Sequence, residues 1–558
     1  MRPPVVVSLP HLVPPPLYSP PVPRSPLAIF VLLAGCDTPT ASEEPPFLRG
    51  EQPDYSAPAP VLRRLTYSQY VHSIDDLFGT GLVLPDELEP DTRAAGLYAV
   101  GASLTSISAL GVDRYESVAY AIAEQVLTDP TRRAAIVGCV PVSSADADCA
   151  REVLNALGVR VWRRPLSDGE LDILVSLTTT AGTSLGDFDL GLSYGLAALL
   201  QSPYFLFRVE LGEVDPAGGH RYSGWEMASR LSYFLWDGPP DNALLLAAES
   251  GALLTDAGLE AEVDRMLEDE RTRRGLRAFF GDMLRLDELD ALTKDPTLFV
   301  NMSSDLGPAA REQTLRDLDA IVLEDDVDFR TFLTSTDTHI DRTLAALYDV
   351  PAPVREGFGL TTLPISGGRR GYLGQASFLA LQAHATSTSV TLRGLYLREV
   401  LLCQELPSPP AGLNTSIPEA DAERPTMRDR VAQHLEDPSC AGCHQLMDPI
   451  GLGFEHFDGV GRWRDTENGH PIDPSGSFDG DEFVDAWGLG QAVADHGSFA
   501  PCVSDTLLRS ALGRTLADEE LELAEWHADG LHQEGYRLRW LFRDIVMGPA
   551  FRTTAVAP

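Results

Sequence analysis

Apolar residues recur at helical spacing through most of the chain. Thr66-Tyr67-Ser68-Gln69 is a capping box, in which Thr66 accepts from a first-turn N–H and Gln69 reaches back. Tyr70, Ile74 and Leu77 follow on one face, and Gly79 is a suitable stop. A second helix is predicted over roughly 105–128. Ser167-Asp168-Gly169-Glu170 is another capping box, opening a helix with Leu171, Leu174 and Leu177 on one side. Residues 189–200 carry Leu and Ala at the same period. Residues 225–236, with Met227, Leu231, Phe234 and Leu235, read as a buried helix. Residues 257–288 and 308–325 read as charged amphipathic helices. Val/Ile/Thr runs of strand length are few, so the expected fold is mainly α, a multi-domain helical body without repeats or a transmembrane span. The aromatic groups around Tyr204, Phe205 and Phe207, and around Tyr233, Phe234 and Trp236, fit a core better than a ligand groove.

The N-terminus breaks this pattern. Residues 26–35 form a short apolar run behind Arg24, too short to span a bilayer, and end at Cys36. Leu33-Ala34-Gly35-Cys36 resembles the lipobox of bacterial lipoproteins, in which the cysteine becomes the diacylated first residue. A plain secretory signal is the alternative. Residues 37–60, rich in Pro, Glu, Ala and Ser, read as a flexible tether.

With 558 residues and 44% apolar content, several packed domains are expected rather than one core or a disordered chain. The formal charge of −39 argues against nucleic acid, whose phosphates would be repelled. It suits solubility first and an acidic docking face for a basic electron partner second. Of seven cysteines, Cys36 belongs to the signal and Cys440 and Cys443 to the motif below. Cys139, Cys149, Cys403 and Cys502 remain, an even number that fits an oxidising compartment. Cys139 and Cys149 flank a short loop and are expected to pair, leaving Cys403 with Cys502. Four free buried thiols are the alternative.

Cys440-Ala441-Gly442-Cys443-His444 is the one specific chemical signal. One helical turn carries two thiols able to form thioethers to haem vinyl groups, next to an imidazole able to ligate the iron. Composition gives roughly 0.002 chance occurrences of this pattern. A zinc site would need further Cys or His ligands at finger-like spacing, and a thioredoxin-like pair would need a surrounding βαβ pattern. The expected cofactor is therefore one covalent haem c on Cys440 and Cys443, with His444 as axial ligand. Met447 falls on the proximal side. His434 is the first candidate for a sixth ligand, with His384, His456 and Met427 as rivals; a methionine raises the potential, a second histidine lowers it and a vacant position admits ligands. Asp448-Pro449 is expected to end the haem-bearing helix. Gly451 and Gly453 are read as letting backbone approach the macrocycle, and Ile450, Leu452, Phe454 and Phe457 as its apolar wall. Asp473, Asp479 and Asp481 lack the spacing of a calcium loop and read as a solvated turn.

From Arg63 onward the chain resembles a multi-domain bacterial family of planctomycete and myxobacterium type, made of consecutive domains of unknown function and a cytochrome-c-like haem segment. The resemblance rests on Arg64-Leu65-Thr66 through Gly79, Arg163-Arg164-Pro165-Leu166, Ser202-Pro203-Tyr204-Phe205, Arg230 to Trp236 and Pro240-Asp241. It continues in Arg393-Gly394, His434, Cys440 to His444, Asp448-Pro449-Ile450-Gly451, Phe457-Asp458 and Gly461-Arg462. It closes in Ala511 to Arg514 and Gly548 to Arg552. Met283-Leu284 replaces the usual Trp-Leu, and Thr388-Ser389-Val390-Thr391 the usual Thr-Ser-Pro-Val. The resemblance implies haem binding, electron transfer and a loose association with polysaccharide breakdown.

The expected segments are 61–130, 131–200 and 201–330 for the helical body, 331–470 for the haem-bearing domain and 471–558 for a C-terminal helical domain. The leading functional expectation is an exported electron-transfer lipoprotein of the cell envelope, periplasmic or on the outer surface. It would be anchored through Cys36 alone and would serve an unidentified redox partner. A haem-dependent oxidoreductase acting on carbohydrate or peroxide, and a surface polysaccharide-binding module with auxiliary haem, are the alternatives. No catalytic triad, nucleophile elbow or phosphate loop stands out.

Overall fold

Side-chain oxygens start most of the helices, as the sequence requires. The computed structural model describes residues 49–84, 88–407, 417, 419–436 and 438–556, without the side chains of 433–436, 438 and 439. Cys36 and the expected export signal lie outside the described residues. Thr66 and Gln69 close their box on α1, Tyr67–Phe78. Ser108 caps α2, Ala109–Thr128, and α3 is Ala147–Trp162. Ser167 and Glu170 box α4, Asp168–Leu185, which packs on α5, Phe188–Gln201. Leu171 and Leu174 face the core, but Leu177 is 38% exposed and Val175 turns inward in its place. A box not read from sequence, Ser223 with Glu226, opens α6, Gly224–Leu235, which is buried along nearly its whole length.

The amphipathic stretch 257–288 is two helices rather than one: α7, Asp256–Leu267, and α8, Thr272–Met283. Asp269 interrupts it. Its carboxylate accepts from the Arg271 backbone N–H and binds the Arg271 guanidinium, offering the chain a turn in place of helix. The buried carbonyl of Met266, in the last turn of α7, accepts from the Trp236 indole N–H and the Thr272 hydroxyl. Helix α9, Leu306–Asp319, runs on into one wide π turn, Ala320–Glu324. The later helices are α10, Val390–Tyr396; α11, Met427–Glu436; α12, Pro438–Leu452; and α13, Phe499–Leu512. Among the described residues no helix is long and apolar enough to cross a membrane.

The protein is mainly α. Among the described residues strands occur only as short antiparallel pairs, of which β1, Arg63–Arg64, on β2, Phe207–Arg208, ties the stretch before α1 to the end of the second helical segment. One apolar core gathers side chains from Leu65 to Tyr233, and a second gathers those from Tyr222 to Phe551. The three segments expected after residue 200 therefore share one interior. Residues 49–58, read as part of the tether, are fastened to this body. The Arg49 guanidinium lies 3.0 Å from the Trp526 ring centre and pairs with Asp544, the Tyr55 hydroxyl donates to Glu520, and the Ala555 N–H donates to the Pro58 carbonyl.

A buried ionic cluster joins the two cores. The Glu210 carboxylate meets Arg63 at 2.8 Å, Arg208 at 2.8 Å and Arg230 at 2.6 Å. Arg63 also donates to the Ala511 carbonyl and Arg230 to that of Phe551. Three guanidiniums hold Glu210 far below the usual carboxylate range despite its burial, while burial pulls Arg208 down to about 9.

Candidate haem site

Four cysteines form two disulfides, Cys139–Cys149 and Cys403–Cys502, as the sequence led one to expect. Cys440 and Cys443 belong to neither. Both lie partly exposed on α12, one helical turn apart, so their side chains share a face. The Cys443 thiol lies 3.9 Å from the Pro407 carbonyl. His444 follows, with its ring nitrogen Nδ1 2.8 Å from Oδ2 of Asp448. Asp448 has no solvent exposure and is placed four residues on, where one helix turn stacks the two side chains. A carboxylate at Nδ1 demands a proton there, which makes Nε2 the nitrogen an iron would take. The second oxygen of Asp448 accepts from the Thr391 hydroxyl at 2.8 Å. Two thiols, an adjacent imidazole and a buried acceptor behind it suit a thioether-held, histidine-ligated haem.

Helix α10 is clamped across α12. A Cβ on Gly394 would meet the Met447 carbonyl at 2.0 Å, and one on Gly451 would meet the Val390 carbonyl at 1.9 Å, so backbones touch at both glycines. Gly451 thus serves helix packing, not approach to a flat ring as expected. The Arg393 guanidinium beside it is fully buried and donates to the carbonyls of Phe454, Phe457 and Asp458; burial brings it down to about 10. Thr388 donates to Glu455, which also pairs with Arg393 and Arg464, while burial raises the Glu455 carboxyl. Ser389 caps α10.

Several expectations are corrected here. Helix α12 runs through Pro449 to Leu452 instead of ending at Asp448-Pro449. The proline removes one donor, from the carbonyl of the exposed Gln445, and packing on α10 holds the rest of the helix. Ile450, Phe454 and Phe457 do not wall the cysteine face. They point into the main core, Phe454 against Phe378 at 5.1 Å, and Leu452 joins Val390, Met427 and Val431 in a small cluster. Met427 is thereby committed to packing. His456 stacks on Trp463 at 4.5 Å and its Nδ1 bonds the Arg464 carbonyl, while His384 is exposed on a loop. His434 lies on α11, but its side chain is outside the described residues. Met447 is buried, and its backbone meets α10 at Gly394.

Among the described residues no group of three or more His, Cys, Asp or Glu could hold a metal ion. Asp479 instead pairs with Arg398 and His496, and Asp473 with Arg428. The aromatic groups are mostly core: Phe205, Tyr233 and Trp236 are buried, and Tyr204 packs on Trp162 at the surface. A cleft of about 820 Å³ lies elsewhere, lined by Arg64, Tyr67, Asp91, Tyr98 and Asp282 among others. Several of the charges along it are paired: Arg64 with Asp91, and Asp282 and Asp287 with Arg93. Burial lifts Asp282 to about 6. Sequence reading missed Asp448 and Thr391 as partners of the site, although His444 and Asp448 stand at a readable four-residue helical spacing.

Four family models of unknown function match consecutive stretches of this chain between residues 63 and 467. Residues 63–128 match the family model PSD3 (protein of unknown function, DUF1587), and 149–210 match PSD5 (DUF1595). Residues 222–350 match PSD4 (DUF1592), and 369–467 match PSCyt3 (DUF1588). No curated protein and no solved structure matches the chain. The PSCyt3 segment contains α10, α11 and α12, hence Cys440, Cys443, His444, Asp448 and Thr391.

Proposed function

We propose that this protein is an exported c-type haem protein of electron transfer, with haem held by thioethers at Cys440 and Cys443 and His444 as axial ligand. The observation that carries this reading is the division among the cysteines. Four are used in two disulfides, while the two one turn apart beside an oriented imidazole are not. The fourth family model, named PSCyt3, hints the same way. Haem bound there supplies one-electron exchange. The chain's part is to hold it by two bonds, to fix the imidazole tautomer through Asp448 and to keep the helix rigid through the glycine contacts with α10. Two disulfides suit an oxidising compartment, and a lipid on Cys36 would leave the body at a membrane surface. The charge of −39 favours a basic protein as redox partner.

The test is a pyridine haemochrome assay on full-length protein made in a periplasm with c-type maturation. Wild type should retain haem through denaturation and acid–acetone extraction, and Cys443→Ala should lose most of that covalent colour. Colourless wild-type protein overturns the proposal.

A further inference from the structure

Behind the imidazole stands a two-member hydrogen-bonded chain that nothing in the family descriptions assigns. Asp448 uses both carboxylate oxygens: Oδ2 accepts from His444 Nδ1 and Oδ1 accepts from the Thr391 hydroxyl, each at 2.8 Å. The carboxylate is fully removed from solvent, so water does not screen its charge. Thr391 comes from a different helix, brought into reach by the backbone contacts at Gly394 and Gly451. We propose that Asp448 and Thr391 are opposed positioning residues that set the reduction potential of an iron held by His444; this rests on the haem reading above.

The physical argument has two steps. A carboxylate accepting from Nδ1–H draws that proton toward itself and makes the other ring nitrogen a stronger donor. A stronger donor favours the more highly charged ferric iron, so Asp448 lowers the potential. The Thr391 hydroxyl gives a hydrogen bond to the opposite oxygen and withdraws part of the carboxylate's charge from Oδ2. It therefore weakens the pull on the imidazole and raises the potential. The two residues act in series on one ring, and their removal has opposite signs.

The experiment is a potentiometric titration of the full-length, haem-loaded protein, with covalent haem quantified first. Asp448→Asn should favour reduction by about tenfold, which for one electron is an upward shift of about 59 mV. Thr391→Val should shift the midpoint downward, and Thr391→Ser, which keeps the hydroxyl, should restore the wild-type value. Should Asp448→Asn fail to accumulate, the Thr391 pair decides alone, because a merely structural role would not be rescued in potential by serine. Haem-loaded variants whose midpoints stay put, or move in the same direction, overturn this proposal and leave the haem reading standing. Wild type without covalent haem overturns both.

Discussion

At the scale of single residues, buried charge is the dominant feature. Glu210 sits among Arg63, Arg208 and Arg230, all fully or nearly fully buried, and the four residues come from three separate parts of the chain. Removing the one anion strands three cations in a dry interior. Glu210→Gln should lower stability by about 3–5 kcal/mol at neutral pH, measured by urea unfolding. The sign with pH follows from the depressed folded pKa of Glu210: its contribution is complete above the unfolded value of about 4.3 and declines as acid approaches the folded one. The gap between wild type and variant should therefore narrow below about pH 4. An equal gap at pH 7 and pH 3 would show that Glu210 acts by packing alone.

At the scale of elements, the pattern of apolar and polar positions made most helices legible, and the capping boxes at Thr66 and Ser167 located two starts to the residue. What escaped is mostly tertiary in origin. Asp448-Pro449, the stronger local stop, does not end α12 because α10 packs on it, whereas the break at Asp269 is made by its own short turn onto Arg271. The candidate site was legible as Cys440, Cys443 and His444, because these are adjacent in sequence. Thr391 was not, since it is 57 residues from Asp448 and reaches it only where α10 crosses α12. That crossing is testable. Gly451→Ala forces a methyl into the Val390 carbonyl and should cost about 1–3 kcal/mol, while separating Thr391 from Asp448. Gly442→Ala, on the same helix with open space at its Cβ, should instead gain up to about 1 kcal/mol from helix propensity. Parallel urea titrations of the two variants read this; similar effects from both would remove the close crossing as the reason for glycine at 451.

At the scale of the molecule, the covalent cross-links divide the labour unequally. Cys139–Cys149 spans 10 residues within the first core, whereas Cys403–Cys502 spans 99 and encloses α11, α12 and every residue of the candidate site except Thr391. Its second cysteine lies on α13, buried in the second core, and its first follows closely after α10. The bridge thus pins both ends of the stretch that holds Cys440, Cys443 and His444 to one interior. In the chain-entropy account the short loop restrains the unfolded chain by about 3 kcal/mol and the long one by about 4.7 kcal/mol. Replacing Cys403 and Cys502 together by alanine should therefore lower the thermal midpoint further than replacing Cys139 and Cys149. The added loss should concentrate in the site, because a longer free loop lets α12 separate from α10. Amide exchange followed by mass spectrometry separates these effects: peptides covering 427–452 should lose protection in the Cys403/Cys502 double variant while those covering 109–128 keep it. Equal loss in both regions would mean that the two cores unfold as one unit and that the long bridge serves the whole body rather than the candidate site.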